Sequence, residues 1–137
     1  MAIKLAVPLN SVNNKNLDKA AALVTLKGGL VNISLTTGLL EVAGVATGPN
    51  QVVWIANENI AAADARTSVL GTEARKGDQF LADTVANSSA VHNGQRMLLN
   101  ATGFLLNNSG TDAPAGVFEQ ISVVGAPADR KIIVSKV

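Results

Sequence analysis

The chain has 137 residues, a formal net charge of +1 and no cysteine. Its length fits one domain that buries roughly two thirds of the surface of the unfolded chain. The composition excludes disulfides, cysteine-ligated metals and thiol nucleophiles, and with only 15% charged residues it offers no basic stripe for direct nucleic-acid binding. The apolar run before Pro8 is too short for a signal peptide core or a membrane span, which predicts a protein made in the cytoplasm without membrane association.

The hydrophobic residues are almost all aliphatic. They make up 47% of the chain, whereas aromatic residues make up 3%, with one tryptophan and no tyrosine. Such a sequence builds its core from Val, Leu, Ile and Ala and has few of the aromatic walls that line small-molecule pockets. Because large apolar patches are rare on soluble monomers, we expect partners or further copies of the chain to cover part of this surface.

The N-terminal segment has the pattern of an extended arm. Apolar residues alternate over positions 3–7, Pro8 interrupts strand pairing, and positions 10–16 contain four asparagines, which favour turns. The sequence therefore predicts an extended N-terminal arm over residues 1–20, with a frayed terminus as the alternative. Residues 21–137 are predicted to form a single β-rich domain.

Residues 17–27 (LDKAAALVTLK) allow two conformations. A short helix would have Asn16 as its N-cap and would end at Gly28-Gly29. The run Leu23–Leu26 equally fits a strand. The sequence leaves this choice open.

A twelve-residue pattern occurs twice, at Gly29–Leu40 (GLVNISLTTGLL) and Gly94–Leu105 (GQRMLLNATGFL). In each copy two glycines stand nine positions apart, and the second follows a threonine. Glycine adopts the positive φ angle that tight turns require. The pattern predicts two β-hairpins with turns at Thr37-Gly38 and Thr102-Gly103.

Further short apolar runs alternate with turn signals roughly every ten residues, which is typical of all-β folds. Strands are predicted at 51–55, 67–70, 80–85, 116–124 and 131–135. The tripeptide Lys76-Gly77-Asp78 fits an ordinary turn. The predicted fold class is mainly β, a small β-barrel or β-sandwich of β-tulip-like type with at most one or two short helices.

Catalytic patterns are lacking in the sequence. His92 is the only histidine and lies beside a predicted turn, and the ten acidic residues are scattered singly. The glycine spacing fits no phosphate-binding loop. We therefore expect no enzyme activity, no catalytic residue, no metal site and no cofactor. Trp54 is predicted to belong to the core, with a subunit-interface anchor as the alternative.

The C-terminal half resembles the small decoration proteins, also called cement proteins, of tailed-bacteriophage capsids. The resemblance covers about residues 76–135 and consists of five segments in order: Lys76-Gly-Asp-Gln-Phe80, Gly94-Gln-Arg-Met-Leu-Leu99, Ala101-Thr-Gly-Phe104, Pro114-Ala-Gly-Val-Phe118 and Lys131-Ile-Ile-Val-Ser135. Decoration proteins bind the outside of the expanded head, commonly as trimers at three-fold positions, and stabilise it against internal DNA pressure.

The resemblance implies a structural virion protein on the capsid surface. Its partners would be the major capsid protein and two further copies of itself, in a homotrimer. An arm that orders on the lattice is frequent among such proteins, so the expected interface residues are Asn13, Asn14 and Lys15, together with Trp54 in the interface alternative.

Two other functions remain open at the level of sequence. One is another phage structural subunit, such as a tail-tube or head-fibre base protein, which would also be β-rich. The other is a carbohydrate-binding or receptor-binding module, which would need exposed aromatic side chains for stacking on sugars.

Overall fold

The computed structural model describes residues 5–8, 14–44, 47–48, 50–62, 64–83, 92–99, 105–106, 112–114, 116–126 and 131–137. All regular secondary structure in these stretches is β-strand. The strands are β1 Leu5–Pro8, β2 Asn14–Asp18, β3 Leu30–Ile33, β4 Leu40–Val42, β5 Val53–Ala56, β6 Ser68–Ala74, β7 Gln79–Asp83, β8 Arg96–Leu99, β9 Leu105–Leu106, β10 Phe118–Val124 and β11 Lys131–Lys136.

The strands form two antiparallel sheets. One has six strands in the order β1-β7-β11-β10-β8-β9, and the other has five in the order β2-β6-β5-β3-β4. The pairings among the described residues close neither sheet into a barrel. The predicted mainly β class is confirmed, and of its two architectures the sandwich is the one formed.

Residues 17–27 form no helix, so the helical alternative for this segment is wrong. Leu17 belongs to β2, where it pairs with Val69 of β6, and Thr25 forms an isolated antiparallel bridge with Ile60. These pairings give the backbone N–H and C=O groups partners elsewhere in the chain, which removes the advantage of a short isolated helix.

The main core lies between the two sheets, because side chains alternate across each strand and the inward row of each sheet faces the other. Both sheets contribute aliphatic and aromatic residues to it: Leu30, Ala43, Val53, Ile55, Ala74, Phe80, Ala82, Met97, Leu99, Val117, Phe118, Ile132 and Val134.

A second, smaller cluster covers the outer face of the five-stranded sheet. It contains Leu23, Val31, Leu40, Trp54, Ala56, Ile60 and Val69. Leu23 and Ile60 belong to two loop segments that the Thr25–Ile60 bridge holds together. The Thr25 N–H donates to the Ile60 carbonyl at 3.1 Å, and the Ile60 N–H donates to the Thr25 carbonyl at 2.8 Å. These loops form a third layer over the sheet.

The first predicted hairpin is confirmed. β3 and β4 are paired antiparallel, with Ile33 opposite Leu40, and Gly38 has a φ angle of 71° in the connecting turn. The strands of the second hairpin, β8 and β9, also pair antiparallel, with Leu99 opposite Leu105. The predicted Thr102-Gly103 turn between them lies outside the described residues.

The sandwich has two ends, which are named here by exposed residues. At the Leu35 end, β3 ends, β5 begins and β6 ends, and Lys136 closes β11. The Gly77 N–H donates to the Lys136 carbonyl at 2.8 Å, so both sheets meet there. At the Val124 end, Val124 of β10 pairs with Lys131, the first residue of β11.

Residues of the predicted N-terminal arm belong to both sheets. β1 pairs with β7, and β2 pairs with β6, which places them at neighbouring edges of the sandwich. Pro8 lies opposite Phe80 and Asn14 opposite Thr72, so the residues that flank positions 9–13 are both near the Leu35 end. Asn13 itself is outside the described residues.

Candidate interaction surface

Three adjacent strands of the five-stranded sheet end together at the Leu35 end. β3 ends at Ile33, Val52 comes directly before β5, and Arg75 comes directly after β6. Asn32 lies opposite Val53, and Val53 lies opposite Ala74. In each of the three strands, the residue one step nearer to the Leu35 end therefore falls in the same row. The antiparallel register therefore brings Ile33, Val52 and Arg75 to one edge.

An apolar groove of about 390 Å³ lies on one side of this row. Its apolar lining comes from Ile33, Leu35 and Val52, and Asn32, Asn50 and Gln51 complete it. Leu35 stands in the β3–β4 turn with 94% of its surface exposed, and Val52 is 53% exposed. Such exposure of a large aliphatic side chain at a turn contributes nothing to the core and marks a surface that a partner could cover.

A basic pocket of about 370 Å³ also has the 50–52 segment in its lining. Three cationic side chains, Arg75, Lys76 and Lys136, and one carboxylate, Glu73, are among its lining residues. Because Asn50, Gln51 and Val52 line both cavities, the basic pocket adjoins the apolar groove. The Leu35 end thus combines an aliphatic groove with a neighbouring pocket that has both cationic and anionic groups in its lining.

Lys136 is the most unusual member of the pocket, because its side chain is only 5% exposed. It occupies the inward row of β11 after Ile132 and Val134, so its methylene stem closes the end of the core. The ammonium group donates a hydrogen bond to the Val137 carbonyl at 2.7 Å, and burial lowers the pKa of this lysine.

The turn that carries Arg75 and Lys76 is held in place by several hydrogen bonds. Asp78 accepts the Arg75 N–H through its carboxylate and donates its own N–H to the Arg75 carbonyl, both at 2.9 Å. Gly77 has a φ angle of 86°, which suits glycine. The predicted turn at Lys76-Gly77-Asp78 is therefore confirmed, and it holds the backbone of both basic residues in one position.

Trp54, the predicted core or interface residue, lies in β5 on the outer face of the five-stranded sheet. It is 5% exposed and packs in the cluster with Val31 and Leu40. Its indole N–H has no hydrogen-bond partner among the described residues. Within this chain Trp54 is a core residue.

Asn14 and Lys15, two of the predicted interface residues, lie in β2 at the edge of the same sheet, and both are exposed. The Asn14 side chain also has an internal role, because its Oδ1 accepts a hydrogen bond of 2.6 Å from the Thr72 hydroxyl. Thr72 in turn accepts from the Asn57 amide at 2.8 Å. Asn14 thus helps to fasten β2 to β6.

His92 is an exposed loop residue, as the sequence predicts, and its backbone N–H donates to Gln95 Oε1 at 2.9 Å. Within the described stretches, no group of three or more His, Asp or Glu residues is placed to hold a metal ion. The same stretches contain no helix with the length and hydropathy to span a bilayer.

Exposed apolar side chains also lie towards the Val124 end, on both faces of the six-stranded sheet, because Val123 pairs with Ile132 and Val124 with Lys131. Ile121, Val123 and Val124 of β10 are each between 37% and 44% exposed. β8 pairs with β10 only at Phe118 and Glu119, so this apolar half of β10 extends beyond the pairing with β8. It is a second candidate contact surface.

Sequence reasoning missed the central members of the Leu35 end. The alternation of Val31, Ile33 and Leu35 predicts only that Leu35 belongs to one strand face, and Lys136 has no signal in the sequence. The one available signal was the position of Leu35 directly before Thr36-Thr37-Gly38, because an apolar residue within a turn has no core to enter.

Comparison of the chain with protein-family models, with curated proteins and with solved structures finds no match in any of the three.

Proposed function

We propose that the chain is a structural virion protein that binds the outer surface of an expanded bacteriophage capsid as a trimer and stabilises it. The observation that carries the proposal is the exposed aliphatic surface of the Leu35 end, with Leu35 94% exposed beside Val52. A side chain of this kind is stabilised only when a partner removes it from water, at roughly 25 cal/mol for each Å² of apolar surface buried.

The aromatic residues that the structure describes support an assembly role over sugar recognition. Trp54, Phe80 and Phe118 are 5%, 0% and 0% exposed. Stacking on sugars requires an accessible aromatic face, and these three rings offer none. Aliphatic surface with little net charge instead suits extended contacts between protein subunits.

A capsid-bound trimer needs two kinds of surface, one for neighbouring copies and one for the lattice. Among the described residues, the Leu35 end and the outer half of β10 are two separate exposed apolar surfaces, besides Val24 and Leu26 in the loop layer. β11 spans the distance between them from Lys131 to Lys136, roughly 17 Å at the usual rise per strand residue. We assign the Leu35 end to the lattice and the β10 surface, Ile121, Val123 and Val124, to the trimer.

The expected arm contacts fit the same assignment. Asn14 is the first residue of β2 and lies opposite Thr72, two residues before β6 ends at the Leu35 end, and Lys15 is exposed beside it. We propose that Lys15, with Asn13 and Asn14, adds to the lattice contact. Many such modest contacts across a symmetric shell give strong overall binding by avidity.

The proposal is tested by sedimenting the purified chain with expanded heads and with unexpanded procapsids of the phage that encodes it. We expect binding to expanded heads and retention of DNA at temperatures where undecorated heads lose it. The variant Leu35→Asp should reduce occupancy of the heads. Leu26→Asp is the matched control, because Leu26 is also exposed but belongs to the loop layer, away from the Leu35 end.

Two results would overturn the proposal. One is absence of the wild-type chain from sedimented expanded heads. The other is equal binding by wild type and Leu35→Asp, which would remove the observation that carries the assignment. Rings or tubes formed by the purified chain alone would instead favour a tail-tube subunit.

A further inference from the structure

One buried residue of β10, Gln120, is hydrogen-bonded to the turn that precedes β8. The Gln95 N–H closes this turn by donating to the His92 carbonyl at 3.1 Å, and Gly94, at the third position, has a φ angle of 90°. The Gln120 N–H donates to the Gln95 carbonyl at 2.9 Å, and the Gly94 N–H donates to the Gln120 carbonyl at 2.7 Å. Because Gln120 is only 1% exposed, the turn is fastened to a buried part of β10.

The turn contains Asn93-Gly94, the only Asn-Gly pair in the sequence, and both residues are exposed. In such a pair the backbone nitrogen of the glycine can attack the side-chain carboxamide of the asparagine. Glycine offers no side chain to hinder this approach. The turn therefore holds the two groups that react in the deamidation of asparagine through a succinimide.

The reaction has two balanced steps and needs only water. In the first, the Gly94 nitrogen forms a bond to Asn93 Cγ, the Cγ–Nδ2 bond breaks, and ammonia leaves with the proton of the Gly94 nitrogen. In the second, water adds to one of the two carbonyls of the succinimide ring and opens it. Opening at one carbonyl gives aspartate, and opening at the other gives isoaspartate, in which the main chain runs through the former side chain.

Gln120 restrains both reacting groups in the folded chain. Its side-chain Nε2 donates to Asn93 Oδ1 at 3.1 Å, and its backbone carbonyl accepts the Gly94 N–H. Attack requires Asn93 Cγ to rotate onto the Gly94 nitrogen and requires that nitrogen to lose its proton, so each hydrogen bond opposes one requirement. The reaction therefore has to wait for local opening of the contact between this turn and β10.

We propose that Asn93 is a site of spontaneous deamidation and that Gln120 sets its rate. The product acts on the same contact, because isoaspartate lengthens the main chain before Gly94 and displaces this residue from the Gln120 carbonyl. Either product also adds a negative charge to the turn, close to the carboxylate of Glu119, whose Oε1 would lie 3.9 Å from a Cβ at position 94. Deamidation should therefore weaken the attachment of β8 to β10. It requires no partner, so it is independent of the proposed capsid role.

The test follows the purified full chain at mildly alkaline pH by peptide mapping, with mass spectrometry that separates aspartate from isoaspartate. The blocked peptide acetyl-His-Asn-Gly-Gln-amide gives the rate without the fold. We expect Asn93 to convert roughly tenfold or more slowly in the chain than in the peptide, because two hydrogen bonds have to open. In concentrated urea the chain should react at the rate of the peptide.

Variants locate the restraint in the Gln120 side chain. Gln120→Met keeps a side chain of similar size, removes the Nε2 donor, and should convert at Asn93 about fivefold faster than wild type, the factor that one hydrogen bond of ordinary net strength corresponds to. Gln51→Met is the matched control, because Gln51 also holds a turn through its side chain, with Oε1 accepting the Gly48 N–H at 2.6 Å. This control should react at the wild-type rate.

Four results would contradict the proposal. An Asn93 that stays intact in both wild type and Gln120→Met would not be a modification site. Equal rates in the folded chain and the peptide, or in wild type and a folded Gln120→Met, would exclude the restraint. If Gln120→Met does not fold, the comparison of wild type with the peptide decides.

The fourth result concerns the consequence of the reaction. Asn93→Asp supplies the charge without the longer main chain, so it should lower the urea unfolding midpoint by less than isoaspartate does. An aged chain that contains isoaspartate and keeps the wild-type midpoint would exclude a weakened contact between β8 and β10.

Discussion

Phe80 of β7 and Phe118 of β10 meet edge to face, with ring centroids 6.1 Å apart and an interplanar angle of 81°. The two strands are not neighbours, since β11 lies between them in the sheet. Both rings are fully buried, so they contact each other across the inward face of β11. This pair fixes three strands of the six-stranded sheet relative to one another.

We expect the two phenylalanines to be energetically coupled. Phe80→Leu and Phe118→Leu should each lower the free energy of unfolding by about 1–3 kcal/mol, and the double variant should lose about 0.5–1.5 kcal/mol less than the sum, the usual value of an aromatic pair. Urea unfolding of all four proteins measures the cycle. Strictly additive losses would mean that the ring contact stabilises nothing beyond burial.

Gly77→Ala should destabilise the protein by about 1–2 kcal/mol, because a Cβ is unfavourable at a φ angle of 86°. Open space surrounds this position, so the cost is conformational and not steric. Gly44→Ala is the control, since Gly44 also has open space but no positive φ angle. Thermal unfolding compares them, and an equal effect of both substitutions would contradict the conformational argument.

Unfolding at acid pH should depend on Asp64. Hydrogen bonds from the Arg66 guanidinium, and next from the Arg66 backbone N–H, lower the pKa of Asp64 from its ordinary value of 3.8 to about 2. Because the folded state holds this proton less tightly than the unfolded state, the stabilisation is fully present above about pH 4 and is lost as the pH falls towards 2.

Asp64→Asn should therefore flatten the fall in urea midpoint between pH 4 and pH 2. Glu41→Gln, at an exposed position in β4, controls for the loss of one negative charge. Urea titrations at a series of pH values give the comparison. The argument fails if the Asn variant keeps the wild-type slope over this range.

Val123→Ser combined with Val124→Ser should convert the proposed trimer into a monomer. Both residues are more than 40% exposed, so we expect the fold to change in stability by no more than about 0.5 kcal/mol. Light scattering over a dilution series measures the mass. A trimer that persists in this variant would exclude the β10 surface, and a monomeric wild type would exclude a preassembled trimer.

Trp54→Phe should lower the free energy of unfolding by less than a typical large-to-small substitution in the core does. The change removes an indole N–H that has no acceptor among the described residues, and a buried unpaired donor is itself destabilising by about 1–3 kcal/mol. We expect a net loss of about 1 kcal/mol, against about 2–5 kcal/mol for Leu40→Ala in the same cluster. Urea unfolding midpoints of the two variants give the comparison. A loss of stability in Trp54→Phe as large as that in Leu40→Ala would contradict this account.

Sequence alone predicted the elements whose signals are local. The β3–β4 hairpin follows from alternation and from the glycine at position 38, and the turn at Lys76-Gly77-Asp78 follows from turn chemistry. The strands predicted at 116–124 and 131–135 appear as Phe118–Val124 and Lys131–Lys136. Each of these depends on a few consecutive residues, so no knowledge of distant partners was needed.

Gly71 shows where local signals mislead. The predicted strand 67–70 ends directly before this glycine, yet β6 continues through it to Ala74. A Cβ at position 71 would lie in ordinary contact with Trp54 Cβ at 3.5 Å and Leu17 Cδ1 at 3.7 Å, so this position lies within the strand between two neighbouring strands. Only the neighbours, far apart in sequence, distinguish this glycine from a turn residue.

The sequence by itself determined that the chain is a mainly β protein with an aliphatic core, because composition and alternation record which residues leave water. The tertiary structure decided which strands share a sheet and which residues meet at the Leu35 end. Ile33, Val52 and Arg75 lie in one row only because antiparallel register aligns the ends of β3, β5 and β6. Register is set by pairing between distant segments, and that pairing leaves no local mark on the residues that it brings together.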